Sequence, residues 1–155
     1  MPGGPPTIRK ISKNAVWDII YDAFLSHDWV GVDGANHERV KQIHAIFKKA
    51  GLATWIDEEK MQGNVQETMM RGIDSSACVI VFITKRYIEK VAGTNENDNC
   101  KLEYKYAALN KSTRPLIPVL LDPAAKDPAS WEGLVKFHLG GEMYFDLSKE
   151  PLESN

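Results

Sequence analysis

Apolar positions along this 155-residue chain gather into five short runs, at residues 19–25, 52–56, 77–83, 114–121 and 142–146. The first and third are rich in β-branched and aromatic residues and almost unbroken by polar ones. Such runs predict strands buried on both faces, as in a parallel sheet. The fourth carries Pro115 and Pro118, which are awkward inside a ladder, so it is expected to be irregular or near an edge. Between the runs the spacing changes. Val40, Ile43, Phe47 and Ala50 recur at helical intervals, with Asn36 placed to cap that helix and Gly51 to end it. Asn64, with Glu67 three residues on, resembles a capping box ahead of Met69, Met70 and Ile73. A third helix is expected to open at Asp98 or Asn99, with Leu102, Tyr106 and Leu109 on one side. Residues 84–98 read as a long polar loop, mobile in its middle. Residues 122–139 read as a loop with at most a short helix at 131–137.

The alternation of strands and helices predicts an α/β fold: a flavodoxin-like, doubly wound, five-stranded parallel sheet flanked by helices, in the order 2-1-3-4-5. In such sheets ligands bind beyond the C-terminal strand ends, at the switch point between strands 1 and 3. That crevice would be lined by residues 26–29, by Thr84 onward, and by the start of the third helix. Glu103 lies near that helix start, so topology alone sets a carboxylate beside the crevice.

Composition narrows the chemistry. Hydrophobic residues make up 43% and charged residues 26%, an ordinary globular balance with enough apolar content for one core. A net charge of −2 offers no broad basic field, so no nucleic acid partner is expected. No apolar run is long enough to span a bilayer, so no membrane insertion is expected. Residues 1–15 read as a flexible leader or linker and 149–155 as a frayed terminus. Two cysteines, Cys78 and Cys100, are too few for a disulfide framework, and no Cys/His cluster has zinc spacing, so no metal site is expected. Free thiols and the lack of a signal-peptide pattern point to the cytoplasm. The turn after strand 1 is Ser26-His27-Asp28-Trp29, without the glycines a dinucleotide fingerprint needs, and no phosphate-loop motif or nucleophile elbow occurs.

Four motifs in order carry a resemblance. They are the stretch at 21–27, YDAFLSH; the segment at 55–64, WIDEEKMQGN; the run SSACVIVFI at 75–83; and Cys100-Lys101-Leu102-Glu103. Together they resemble a TIR (Toll/interleukin-1 receptor) domain over residues 16–148. The first looks like that family's first-strand signature, the second its BB loop, and the last the C-x-x-E that opens a helix in members that cleave NAD+. The chain departs from the pattern at Asn99, where many enzymatic relatives carry Trp, and at His27, where some animal enzymes carry Arg.

The resemblance implies an NAD+ nucleosidase in immune or stress signalling, activated by self-association, with NAD+ as substrate and no cofactor. Glu103 would be catalytic. Ser26, His27, Trp29, Trp55, Asp57, Lys85 and Cys100 would contact substrate, with Lys85 or Arg86 meeting the pyrophosphate. The partners implied are NAD+ and other TIR domains, joined through the BB loop into a homo-oligomer. The family equally contains adaptors, which leaves a non-catalytic TIR–TIR interaction module as the alternative. Each residue also has an ordinary structural role open to it: Glu103 as a helix-start acid, Trp29 and Trp55 as packing, Asp57 as a turn cap.

Overall fold

The structure is a computed structural model, and it describes residues 18–56 and 65–149. Five parallel strands, β1 (Ala23–Ser26), β2 (Thr54–Trp55), β3 (Val79–Ile83), β4 (Leu116–Leu120) and β5 (Phe145–Asp146), form one sheet in the order β2-β1-β3-β4-β5. This is the expected order. Phe24 pairs with Val79 and Ser26 with Val81, so β1 and β3 end side by side at the switch point. The helices are α1 (Asn36–Lys49), α2 (Val65–Asp74), α3 (Lys85–Ala92), α4 (Asn99–Ala108) and α5 (Gly133–Leu139).

Side-chain alternation along β3 divides the core into two layers. Val79, Val81 and Ile83 pack with Met69, Ile73, Tyr87, Val91, Tyr104 and Val135, which belong to α2, α3, α4 and α5. Ile80 and Phe82 point the other way, to Ala23, Leu25, Val40 and Ile43, so α1 covers that face. α2 approaches closely through Gly72, where an added Cβ would stand 2.7 Å from the Trp55 ring.

Several expectations are corrected. Residues 85–92, read as loop, form α3; Thr84 caps it by accepting from the Tyr87 N–H, and Tyr87, Ile88 and Val91 are buried on one face. Asn36 does not cap α1: the N-cap is Ala35, and the Asn36 amide instead donates to the Asp28 carbonyl at 2.5 Å. Leu109 lies past the end of α4 and is exposed rather than packed. β4 lies next to the edge strand, near an edge as expected, and β5 pairs only with Val119 and Leu120. Pro118 therefore has no strand partner on that side, which is how the ladder tolerates it. At the segment 93–98, Lys101 Nζ donates to the Gly93 carbonyl at 2.6 Å and to Glu96 Oε1 at 2.9 Å. Asn64, the other half of the expected capping box, lies outside the described residues.

Candidate active site

β1 ends at Ser26, and the chain continues through His27 and Asp28, all three buried. A buried carboxylate must be matched, and Asp28 is matched from three directions. It accepts from the Gly31 N–H at 2.7 Å and from Lys90 Nζ at 3.1 Å, and it forms an ion pair with Arg86, whose Nε lies 3.0 Å away. Gly31 makes this possible with φ at 62°, a conformation in which an added Cβ would also strike Asn36. Burial alone would raise the Asp28 carboxyl, but the Gly31 N–H, Lys90 and Arg86 outweigh it and hold it below the usual carboxylate range. Lys90 also reaches Asp98 at 3.4 Å, the residue whose side chain caps α4.

Beyond Asp28 three rings stack. His37 lies 3.8 Å from Trp29 and 5.1 Å from His27, centroid to centroid, and all three are close to parallel. Burial drives His27 down to about 4, so its ring is neutral near pH 7. Its Nδ1 lies 3.2 Å from the Leu25 carbonyl and therefore carries the proton. Nε2 is then the acceptor, and His37 Nδ1 donates to it at 2.8 Å.

α4 brings Cys100 and Glu103 to the same side, three residues apart. Glu103 is 8% exposed and accepts a hydrogen bond from Ser26 Oγ on Oε1 at 2.9 Å. Ser26 Oγ in turn lies 2.8 Å from the Tyr87 hydroxyl. The Cys100 thiol donates to the His27 carbonyl at 3.6 Å. Burial and the nearby Glu103 push that thiol well above its ordinary range, with only part of the effect offset by Lys90, so it is not a thiolate nucleophile.

These side chains surround a cavity of about 450 Å³ at the switch point, a size suited to a small organic ligand. His27, Asp28, Trp29, Arg86, Lys90, Asn99, Cys100 and Glu103 line it. Of the residues expected to contact substrate, His27, Trp29 and Cys100 are there beside Glu103, and Ser26 stands behind it as its hydrogen-bond donor. Trp55 and Lys85 are not among the lining residues. Trp55 stands edge-on to Tyr21 with centroids 5.3 Å apart, and exposed Lys85 gives its backbone N–H to Asp122. Arg86, the alternative to Lys85, lines the cavity, as does Lys90. Asp57 lies outside the described residues. The sequence reading missed the roles of Asp28, His37, Tyr87 and Lys90. Tyr87 and Lys90 went with the helix read as loop. His37, one residue into α1, gave no spacing signal. A second cavity of about 500 Å³ lies by β4 and α5, lined by Leu116, Ile117, Phe137 and His138 among others, and holds none of the expected site residues. Among the described residues no group of three or more His, Cys, Asp or Glu is arranged to hold a metal ion. No helix there is long and apolar enough to cross a membrane.

Fold and crevice together define a small doubly wound α/β domain with a carboxylate set at its switch point. A family model described as TIR domain matches residues 24–154, and the chain belongs to that family. A relative from Methanobrevibacter olleyae, a probable 2′ cyclic ADP-D-ribose synthase called TcpO, is 24% identical over 117 residues. That match covers 74% of this chain but only 31% of the relative, so the chain spans about a third of that protein's length. The TIR domain of the Toll-related receptor TRR-2 from Hydra magnipapillata superposes with a TM-score of 0.54 at 18% identity, covering 84% of this chain and 86% of that one.

Proposed function

We propose that this domain cleaves NAD+ at the nicotinamide–ribose bond, with Glu103 as the catalytic carboxylate. The observation that carries the reading is the position of Glu103. It lines a cavity of ligand size at the switch point, and one of its oxygens is held by Ser26. The relative from Methanobrevibacter olleyae, named for the synthesis of a cyclic ADP-ribose, supports the same substrate class.

The chemistry suits one well-placed acid. The C1–N bond of the nicotinamide riboside breaks with its electron pair going to the pyridinium nitrogen. Nicotinamide therefore leaves neutral and needs no proton from a general acid. Positive charge builds on the ribose ring, as in other glycosidic cleavages, and the Glu103 carboxylate stabilises it. Water then attacks the sugar carbon and loses a proton, giving ADP-ribose, or a ribose hydroxyl attacks and gives a cyclic isomer. Trp29, backed by His37, offers a ring face to the nicotinamide or adenine. Arg86 and Lys90 set positive charge toward the pyrophosphate while keeping Asp28 neutralised. Self-association with other TIR domains raises activity in this reading.

The test is to incubate purified protein at rising concentration with a crowding agent and to follow NAD+ loss and nicotinamide release by chromatography. Turnover is expected, and Glu103→Ala should lower it by about a hundredfold or more, the usual scale for loss of a transition-state charge partner. Absence of turnover at high protein concentration, or equal turnover in Glu103→Ala, overturns the reading. Absence of turnover would make a non-catalytic interaction module the better account, whereas equal turnover in Glu103→Ala would move the catalytic role to another residue.

A further inference from the structure

We propose that Tyr87 is a positioning residue for Glu103, acting through Ser26 as the far end of a directed hydrogen-bond chain. The inference rests on the reading of Glu103 as the catalytic carboxylate. The direction of the chain follows from proton counting. Ser26 owns one hydroxyl proton and gives it to Glu103 Oε1 at 2.9 Å. At the other contact, 2.8 Å away, Ser26 can only accept, so the Tyr87 hydroxyl donates. Burial raises the Tyr87 hydroxyl well above its ordinary value of 10, so it keeps its proton throughout the working pH range.

Packing alone does not ask for this tyrosine. Tyr87 is fully buried, and its ring stands edge-on to Tyr104 at 6.4 Å in the larger core layer. Phenylalanine would fill that space without burying a hydroxyl. Two buried hydroxyls in series are costly unless each finds its partner, and here both are spent on reaching one carboxylate oxygen. Tyr87 is not among the residues that line the cavity, so it does not touch the substrate. What it fixes is the Ser26 rotor, and through it the orientation of the Glu103 carboxylate. The base of the chain is itself rigid, because Thr84 caps α3 on the Tyr87 N–H at 3.0 Å.

The experiment compares wild type, Tyr87→Phe, Ser26→Ala and the double variant in NAD+ turnover. Loss of one buried donor should lower kcat about tenfold in Tyr87→Phe while KM stays within about twofold. Because both residues act on the same oxygen, the double variant should be no slower than Ser26→Ala alone. Full kcat in Tyr87→Phe, or losses that multiply in the double variant, overturns the proposal. A second readout needs no turnover. In protein carrying carboxyl-13C glutamate, the Glu103 resonance is identified by its disappearance in Glu103→Gln. It should move in Tyr87→Phe and in Ser26→Ala, and no further in the double variant. A resonance unmoved by Tyr87→Phe overturns the chain. If wild type shows no turnover, the reading of Glu103 as catalytic fails, and the resonance alone decides the role of Tyr87.

Discussion

His27 shows what burial does to a single titratable ring. Its folded-state value of about 4 lies below the ordinary 6.5. Between those values the unfolded chain binds more protons than the folded one, so stability rises with pH across the window and falls on acidification. The gap corresponds to about 3 kcal/mol. Urea denaturation from pH 7 to pH 4 should show that loss, and His27→Asn should flatten the slope while lowering stability at pH 7. Asp28 acts in a different window. Its folded value lies below the ordinary 3.8, so its contribution is present above 3.8 and is lost only as pH falls through the lower folded value. The place of Glu103 beside the crevice was legible at this scale, because topology sets the start of α4 there. Asp28 was not, because nothing in Ser26-His27-Asp28-Trp29 says that Arg86 and Lys90, about sixty positions on, will close over it.

Among the elements, α3 holds the main lesson. Lys85, Arg86, Glu89 and Lys90 lie so close to the Gly- and Asn-rich stretch at 93–99 that the whole segment reads as polar loop. The signal was present but short: Thr84 as cap, then Tyr87, Ile88 and Val91 at helical spacing within eight residues. The long, strongly apolar β3 was found at nearly its observed bounds, because its pattern spans the whole element. β2 and β5 shrink to two residues each, since pairing rather than composition decides where a strand stops. Helix packing leaves a sharper trace at Gly72. An alanine there would press its Cβ into Trp55 at 2.7 Å. Gly72→Ala should therefore cost about 2 kcal/mol by overpacking, despite the better helix propensity of alanine, as measured by chemical denaturation.

For the molecule as a whole, the strand order and the crevice position follow from the β-α alternation, and both were legible. What closes the crevice was not. Asp28 joins the β1–α1 turn through Gly31 to α3 through Arg86 and Lys90, and Lys90 carries the link on to the Asp98 cap of α4. The β1–α1 turn and α3 thus meet on one carboxylate, and α4 is joined to it through Lys90. Asp28→Ala should destabilise the fold by about 3 kcal/mol, because it leaves the cation of Lys90 without its buried partner. Guanidinium denaturation checks this.

The two-residue strands at the sheet margins have a consequence for how copies of this domain can join. A margin that short exposes few unpaired backbone N–H and C=O groups, so it is a poor template for adding a strand from a second copy. In the self-association proposed above, contacts between copies would then be made by helices and loops rather than by these described strand edges. Ordered fibres of the folded domain would lack the meridional reflection near about 4.7 Å that marks strands stacked across a fibre axis.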